Sequence, residues 1–156
     1  RIFLFVKFDK MNKISVIGLD KKFKKFEAEI RGVALKILEI LNKDGVEAEI
    51  YLIDGPKMRF LNKKFRGKDK ITTVLSFEEP KSFICPPPAG GLKYKKIGEI
   101  YLKLPITNYQ LPITKLLIHS LIHLFGYDHQ KKNDRIKMEK KEEYVHNRLR
   151  LRNISN

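Results

Sequence analysis

The chain has 156 residues, 42% of them hydrophobic, which suits one globular domain with an ordinary core rather than a disordered or fibrous protein. The apolar N-terminal run, residues 2–6, is too short to cross a bilayer and no other run approaches that length, so no membrane contact is expected. Lysine and arginine number 33 against 18 acids, and the resulting net charge of +15 predicts a polyanionic partner such as nucleic acid.

The positive charge has a second explanation, and the cysteine count indicates a cellular location. Lysine-rich surfaces also arise from heat adaptation, so the charge alone leaves the partner open. The lone cysteine, Cys85, cannot form an internal disulfide, which favours a reducing, cytoplasmic location.

The first third of the chain predicts strands on either side of one long helix. Residues 1–8 and 14–17 are rich in Ile, Val and Phe and are expected to be short β segments. Residues 21–43 predict an amphipathic helix with Asp20 as its N-cap. Its apolar positions at helical spacing are Phe23, Phe26, Ile30, Val33, Ile37 and Ile40 or Leu41. Residues 46–53 alternate and then become apolar, as in a strand that enters a sheet.

The middle of the chain predicts a short helix, a strand and a long loop. The helix spans residues 56–65, and three of its side chains are expected to face inward: Met58, Leu61 and Phe65. Residues 73–77 form the strand. Residues 80–97 are rich in proline and glycine, which predicts a loop that is either a lid beside the functional site or an ordinary surface excursion.

The last third predicts one strand and two helices. Gly98–Leu102 forms the strand, and Thr114 can cap a helix that runs to Phe125. Residues 133–150 form a final basic helix with apolar residues on mixed faces. These are Ile136, Met138, Tyr144 and Val145.

Three of the four histidines fall in one eleven-residue stretch, residues 119–129, at the end of the helix that runs to Phe125 and in the segment after it. His119 and His123 are four residues apart and project from one helix face, which lets two imidazoles share a metal ion. His129 would point roughly 240° away from His123 on a continuous helix. Gly126 can end the helix in the left-handed conformation, so that His129 returns toward the same ion. Three protein ligands with one open position are typical of a catalytic zinc site.

The histidine spacing on the helix is that of the metalloprotease helix, His-Glu-x-x-His, but the residue after the first histidine differs. Ser120 stands where a protease carries its glutamate base, and a serine hydroxyl cannot accept a proton from water at neutral pH. Asp128 is the nearest carboxylate in sequence. We expect it to accept an imidazole N–H or to cap turn amides rather than to act as a base.

The string His119-Ser-x-x-His123-Leu-Phe-Gly126-Tyr127-Asp128-His129 resembles the signature of the YbeY family of bacterial endoribonucleases. Further blocks match in order and spacing over residues 14 to 150. They are Leu61-Asn62 with Arg66-Gly67, Asp69, Thr72 and Val74 to Phe77, then Gly98-Glu99-Ile100, and finally Met138 with Glu142. Three positions depart from the family pattern: Ser120, Thr73 and Glu99.

The resemblance implies a single-metal RNA hydrolase of the α/β (α+β) class. The expected architecture is one small domain over residues 1–156, of which residues 1–12 could be a peripheral extension. A mixed four-stranded sheet is packed with helices, and the metal site lies on the central helix and the following turn. The resemblance assigns the metal to His119, His123 and His129 and matches Arg66 to the family's arginine.

The implied activity is cleavage of single-stranded RNA in ribosomal RNA maturation, notably at the 3′ end of 16S RNA, and in ribosome quality control. The cofactor is expected to be one Zn²⁺, with nickel or another divalent transition metal also compatible with imidazole. The ion would polarise a phosphoryl oxygen and lower the pKa of its bound water. Expected partners are the RNA, the ribosome or ribosomal proteins, and an assembly GTPase.

Arg66 is the candidate for phosphate binding and transition-state stabilisation, whereas a plain ion pair with Asp69 or another acid is the alternative. Lysines near 63–70, 93–96 and 131–141 are expected to contact backbone phosphates, and His146 is not expected to be a ligand. Few aromatic residues are identifiable as exposed base-stacking platforms, so the sequence does not support direct base readout. A zinc metalloprotease-like hydrolase and a non-enzymatic ribosome-assembly factor remain alternative functions.

Overall fold

The protein is described by a computed structural model that covers residues 11–80, 94–104 and 110–155. The predicted first β segment, residues 1–8, and most of the predicted loop lie outside these described residues. The four strands are β1 (Lys13–Gly18), β2 (Val46–Ile53), β3 (Val74–Glu78) and β4 (Lys95–Lys103). The four α-helices are α1 (Glu27–Ile40), α2 (Gly55–Arg66), α3 (Gln110–Leu124) and α4 (Lys132–Ser155).

The four strands form one mixed sheet in the order β1-β2-β4-β3. β1, β2 and β4 run parallel to one another, and β3 pairs antiparallel with β4 at the edge of the described sheet. Parallel neighbours require crossover connections, which α1 supplies between β1 and β2. The predicted α+β class with a mixed four-stranded sheet is confirmed.

Helices cover both faces of the sheet. Even-numbered residues of the central strands, such as Ile50 and Leu102, are fully buried in the large core that also contains residues of α1, α3 and α4. Odd-numbered residues such as Ile53 join a smaller cluster with Met58 of α2. Each fully buried Leu or Ile contributes about 1.5–3 kcal/mol, so this alternation fixes which helices lie on which face.

Gly98 brings β3, β4 and the end of α3 unusually close together. A Cβ atom at this position would lie 2.2 Å from the Phe77 carbonyl oxygen and 2.7 Å from Leu124 Cδ2. The backbone φ of Gly98 is +151°, which also disfavours a side chain. The edge strand and the histidine helix can therefore approach each other only because this residue is glycine.

The predicted helix over residues 21–43 is wrong at both ends. Lys21–Phe26 forms a 3₁₀ helix instead, and its tighter turn places Phe23 and Phe26, three residues apart, on one side. Asp20 caps this element as predicted, since its side chain accepts from the Lys22 backbone N–H at 3.1 Å. α1 ends at Ile40 because Asn42 adopts a left-handed φ of 55°.

Other element boundaries also differ from the predictions. Thr114 is not a helix cap, because α3 begins at Gln110. Pro112 lies in the first turn of α3, where backbone N–H groups have no intrahelical partner, so a proline is tolerated there. β4 begins at Lys95, so the predicted loop over 80–97 ends earlier than expected. Phe65 was expected to face inward, but its side chain is 55% exposed. Within the described part of the chain, no helix has the length and apolar character needed to cross a bilayer.

Candidate metal centre and phosphate site

The three histidines converge at the C-terminal end of α3. His119 and His123 occupy the last two turns of the helix, and the Gly126 N–H closes the end by donating to the His123 carbonyl at 2.9 Å. Gly126 has a φ of +91°, as the sequence predicted for a residue that ends the helix and redirects the chain. His129 thereby returns to the helix end, and one ring nitrogen from each histidine lies within 4.8 Å of the others.

Two of the imidazoles are oriented by hydrogen bonds through Nδ1. His119 Nδ1 lies 2.8 Å from Glu142 Oε1 on α4, and His123 Nδ1 lies 2.8 Å from the Tyr127 carbonyl oxygen. Both oxygens are acceptors, so each Nδ1 carries the proton and donates. The Nε2 lone pairs of both rings are therefore left to bind a metal, the arrangement usual for metal-ligating histidines.

The donor set fits a small divalent transition metal. His129 Nδ1 lies 3.1 Å from His123 Nε2, close to the separation of about 3.3 Å between two nitrogens on a tetrahedral zinc ion. Burial of the His123 ring, and secondly the nearby His119, lower the pKa of His123. A lowered pKa keeps this imidazole in the neutral form that binds metals. The three histidines could hold a metal ion.

Asp128 shapes the turn that delivers His129. Its Oδ1 accepts from the backbone N–H of His129 at 2.6 Å and from that of Gln130 at 3.3 Å. This confirms the predicted capping of turn amides. A carboxylate tied to two amides is poorly placed to serve as a proton acceptor as well.

Arg66 shares a cavity of about 740 Å³ with His123 and His129. It occupies the last position of α2, which ends because Gly67 adopts a left-handed φ of 69°. Arg66 Nη2 donates to the Ser76 carbonyl at 2.9 Å, and the guanidinium lies 5.0 Å from the centroid of the Phe77 ring.

The edge position of β3 explains why a carbonyl is available to Arg66. The Lys103 N–H of β4 donates to the Thr73 carbonyl at 3.0 Å, so the odd-numbered residues of this edge strand direct their backbone N–H and C=O groups toward β4. In an antiparallel ladder the intervening residues direct their carbonyls outward, which leaves the Ser76 oxygen at the free edge. Arg66 is thus anchored by one N–H, and its other guanidinium nitrogens remain for a ligand.

The alternative role for Arg66, an ion pair with Asp69, is wrong. Asp69 instead pairs with Arg59 at 2.8 Å and with Lys63 at 3.8 Å. No carboxylate of the described residues pairs with Arg66. An unpaired guanidinium that lines a cavity with two imidazoles is well suited to bind an anion.

Two partners of the histidines were not found by reasoning from the residues. Glu142 entered only as part of the family resemblance, because it lies 23 residues beyond His119 on another helix. The Tyr127 carbonyl is a backbone group that no residue pattern identifies. The glycine at position 126 was the one sequence feature that could have indicated this contact. It predicts a turn, and a turn there brings the next residue, Tyr127, close to the end of the helix.

The remaining candidate positions are not among the described residues that could hold a metal. Ser120 is fully buried, and its hydroxyl has no hydrogen-bond partner among the described residues. Glu99 accepts from the Tyr101 hydroxyl at 3.1 Å and lies 3.6 Å from Lys96. His146 is half-buried and is not part of the group of described residues that could hold a metal.

Comparison with known proteins identifies a family over nearly the whole chain. The family model described as endoribonuclease YbeY matches residues 11–150. A protein named endoribonuclease YbeY from Aquifex aeolicus is 32% identical over 150 residues, covering 90% of this chain and 95% of its own. A protein of the same name from Persephonella marina is 36% identical over 126 residues, covering 73% and 72% of the two chains.

A solved structure shares the fold. The solution structure of TM1509 from Thermotoga maritima is 26% identical, with a TM-score of 0.50, and the match covers 92% of this chain and 95% of that one. Together with the motif His119-x₃-His123-x₅-His129, these matches confirm the resemblance noted in the sequence. The chain belongs to the YbeY family of endoribonucleases.

Proposed function

We propose that this chain is a metal-dependent endoribonuclease that hydrolyses phosphodiester bonds in single-stranded RNA. The observation that supports it best is the meeting of two kinds of group in one cavity. His123 and His129, which with His119 could hold an ion, line the same space as the unpaired guanidinium of Arg66. A metal centre beside an anion-binding guanidinium suits a phosphodiester better than a neutral substrate.

The three histidines would hold one ion, which we propose to be Zn²⁺. When bound, such an ion supplies Lewis-acid polarisation of a phosphoryl oxygen and activates water near neutral pH. Glu142 and the Tyr127 carbonyl hold two of the rings in the tautomer that exposes Nε2. This donor set needs no glutamate at position 120, where the buried Ser120 lies.

Arg66 would bind a nonbridging phosphate oxygen. Its bond to the Ser76 carbonyl and its place over the Phe77 ring hold the guanidinium plane before substrate arrives. A donor positioned in advance stabilises the charge that develops in the transition state without reorganisation. Lys68 lines the same cavity and would add a second positive charge along the RNA backbone.

We further propose that the RNA is ribosomal, with processing of the 16S 3′ end and ribosome quality control as its setting, in the cytoplasm. The family assignment and the net charge of +15 support this. A ribosomal protein or an assembly GTPase would direct cleavage. The protease alternative is not favoured by any observation, because the position of its base is a buried serine.

One assay separates the three functions. Metal-loaded protein and a His123→Ala variant are incubated in parallel with structured RNA and with casein. We expect the wild type to cleave RNA in single-stranded regions, the variant to lose both bound metal and cleavage, and casein to remain intact. Casein cleavage would support the protease instead. Equal RNA binding by both forms without cleavage would support a non-enzymatic assembly factor.

A further inference from the structure

Two phenylalanine rings on α2, the helix that carries Arg66, are exposed to solvent. Phe60 is 63% exposed and Phe65 is 55% exposed. Single exposed apolar residues are common on protein surfaces and need no explanation. Two large rings on one twelve-residue helix, beside a candidate active site, are a less ordinary arrangement.

A lysine lies between these two rings. Lys64 Nζ is 5.9 Å from the centroid of Phe60 and 5.4 Å from that of Phe65, so one ammonium contacts both faces. We call Phe60, Lys64 and Phe65 the α2 stacking surface. It presents flat apolar faces and a positive charge together, which is the combination that binds single-stranded nucleic acids.

The α2 stacking surface is continuous with the cavity. The Phe65 ring packs edge-on against Phe77 with centroids 5.5 Å apart, and Phe77 lines the cavity together with Arg66 and His129. Arg66 itself lies over the Phe77 ring. A strand whose phosphate is bound by Arg66 would therefore pass its neighbouring bases across Phe65.

The positive charge of α2 favours RNA over a protein as the molecule that binds the α2 stacking surface. α2 carries five basic side chains and no acidic one: Lys57, Arg59, Lys63, Lys64 and Arg66. Within the described ranges, Asp69 neutralises Arg59 and Lys63 in part, and no ion pair is found for the other three basic residues. A protein partner would need an acidic face to approach this helix, whereas RNA brings both the negative backbone and the stacking bases.

We propose that the α2 stacking surface binds bases of single-stranded RNA beside the cleaved phosphodiester, with Phe65 nearest the scissile phosphate. This rests on the proposed ribonuclease function and adds a base-binding subsite to it. Stacking on a phenylalanine face is tolerant of sequence, so the subsite selects for unpaired bases rather than for particular ones. A base-paired strand cannot offer its faces, which gives the enzyme a physical basis for rejecting duplex RNA.

The test separates base contacts from phosphate contacts. Metal-stripped protein, which cannot cleave, is titrated with a labelled single-stranded RNA and with an abasic strand of equal length and charge. We expect Phe65→Ala to weaken binding of the base-bearing strand roughly 5- to 150-fold, the range for loss of one stacked base, and to leave the abasic strand unaffected. Lys64→Ala should weaken the binding of both strands, because this substitution removes a phosphate contact.

Tyr144 supplies a matched control. It is an exposed aromatic on α4, 43% accessible, with Arg148 5.1 Å from its ring. It lies two residues beyond Glu142 and so points about 200° around the helix from the residue that contacts His119. Tyr144→Ala should bind both strands as the wild type does.

A fluorescence reporter tests the same contact directly. The chain contains no tryptophan, so Phe65→Trp introduces one indole that can be excited selectively over the six tyrosines and that retains stacking. Its emission should be quenched by base-bearing RNA and unchanged by the abasic strand, whereas Tyr144→Trp should respond to neither. Melting temperatures of the variants show whether each one is folded.

Three results would overturn the α2 stacking surface. They are unchanged RNA binding by Phe65→Ala, equal loss on both strands, and Phe65→Trp emission that shifts with protein concentration instead of RNA. The last result would assign the rings to a contact between two copies of the chain. If the wild type still cleaves RNA, only the subsite fails. If the wild type neither binds nor cleaves RNA, the proposed function fails with it.

Discussion

At the scale of single residues, the site depends on hydrogen bonds that leave particular atoms free. Glu142 and the Tyr127 carbonyl hold the protons of His119 and His123 on Nδ1, so that both Nε2 atoms are available. Arg66 is similar, because one N–H donates to the Ser76 carbonyl and no other side-chain hydrogen bond joins it to the described residues. Removing either kind of support should therefore change function without unfolding the chain.

Substituting Arg66 should separate catalysis from metal binding. We expect Arg66→Ala to keep its full metal content while the turnover number falls about 10²- to 10³-fold, the usual cost of losing one oxyanion donor. Arg59→Ala removes the same charge from the same helix, but Arg59 pairs with Asp69, and this variant should retain turnover within a few-fold. Metal analysis and initial rates of RNA cleavage provide the measurement. Unchanged turnover in Arg66→Ala would remove the assigned role.

Substituting Glu142 should weaken metal binding specifically. Glu142→Gln loses the charge that holds His119, and we expect metal affinity to fall about 10- to 100-fold, as for other partners of metal-bound histidines. Glu143→Gln removes the neighbouring, exposed carboxylate as a control and should bind metal normally. Competition with a chromophoric zinc chelator measures both. Equal affinities for the two variants would mean that Glu142 does not position His119.

At the scale of elements, the site is assembled from the ends of α2 and α3 around the edge strand β3. α2 begins where Asp54 accepts from the Lys57 N–H at 2.9 Å and ends at Gly67. Its last turn carries three of its basic side chains near the negative end of the helix dipole, which is a favourable arrangement. These local signals place Arg66 at the end of its helix, and the close approach at Gly98 brings β3 against the end of α3.

Two glycine-to-alanine substitutions should have opposite effects on stability. Gly98→Ala forces a Cβ against the Phe77 carbonyl, and we expect the free energy of unfolding to fall by about 3 kcal/mol, the upper end for overpacking. Gly32→Ala places a Cβ in open space within α1 and should raise it by about 0.5–1 kcal/mol. Urea unfolding measures both. A Gly98→Ala protein as stable as the wild type would show that the three elements can move apart freely.

At the scale of the whole molecule, the positive field should dominate RNA affinity. A net charge of +15 on 18.3 kDa attracts polyanions in general, so affinity alone cannot identify the site. Only short-range contacts, such as Arg66 and the α2 stacking surface, distinguish productive binding from general attraction.

RNA binding should accordingly depend steeply on salt. For a single strand, the slope of log K against log salt is about −0.7 per neutralised phosphate, so Lys68→Ala should reduce it by about 0.7. Tyr144→Ala, which removes no charge, should leave the slope unchanged. Anisotropy titrations from low to moderate salt supply the slopes. Affinity that does not respond to salt would contradict a backbone-dominated interaction.

The amino-acid sequence by itself determined the histidine cluster and the family. Helical spacing of His119 and His123 and a helix-ending glycine before His129 are local features, governed by backbone geometry within a few residues. It also predicted most strands, because their apolar patterns are local as well. The 3₁₀ segment was missed because its pattern consists of only two apolar rings, Phe23 and Phe26. A spacing of three residues is compatible with both an α-helix and a 3₁₀ helix.

Only the tertiary structure decided how Arg66, Glu142 and Phe65 relate to the histidines. Arg66 reaches their cavity because β3 lies at the sheet edge, and Glu142 reaches His119 because α4 packs on α3. Phe65 satisfies an apolar helical pattern yet points to solvent, since the limited face of α2 that meets the sheet is already occupied by Met58. These relations are contacts between residues distant along the chain, and such contacts depend on strand order and packing rather than on any local pattern.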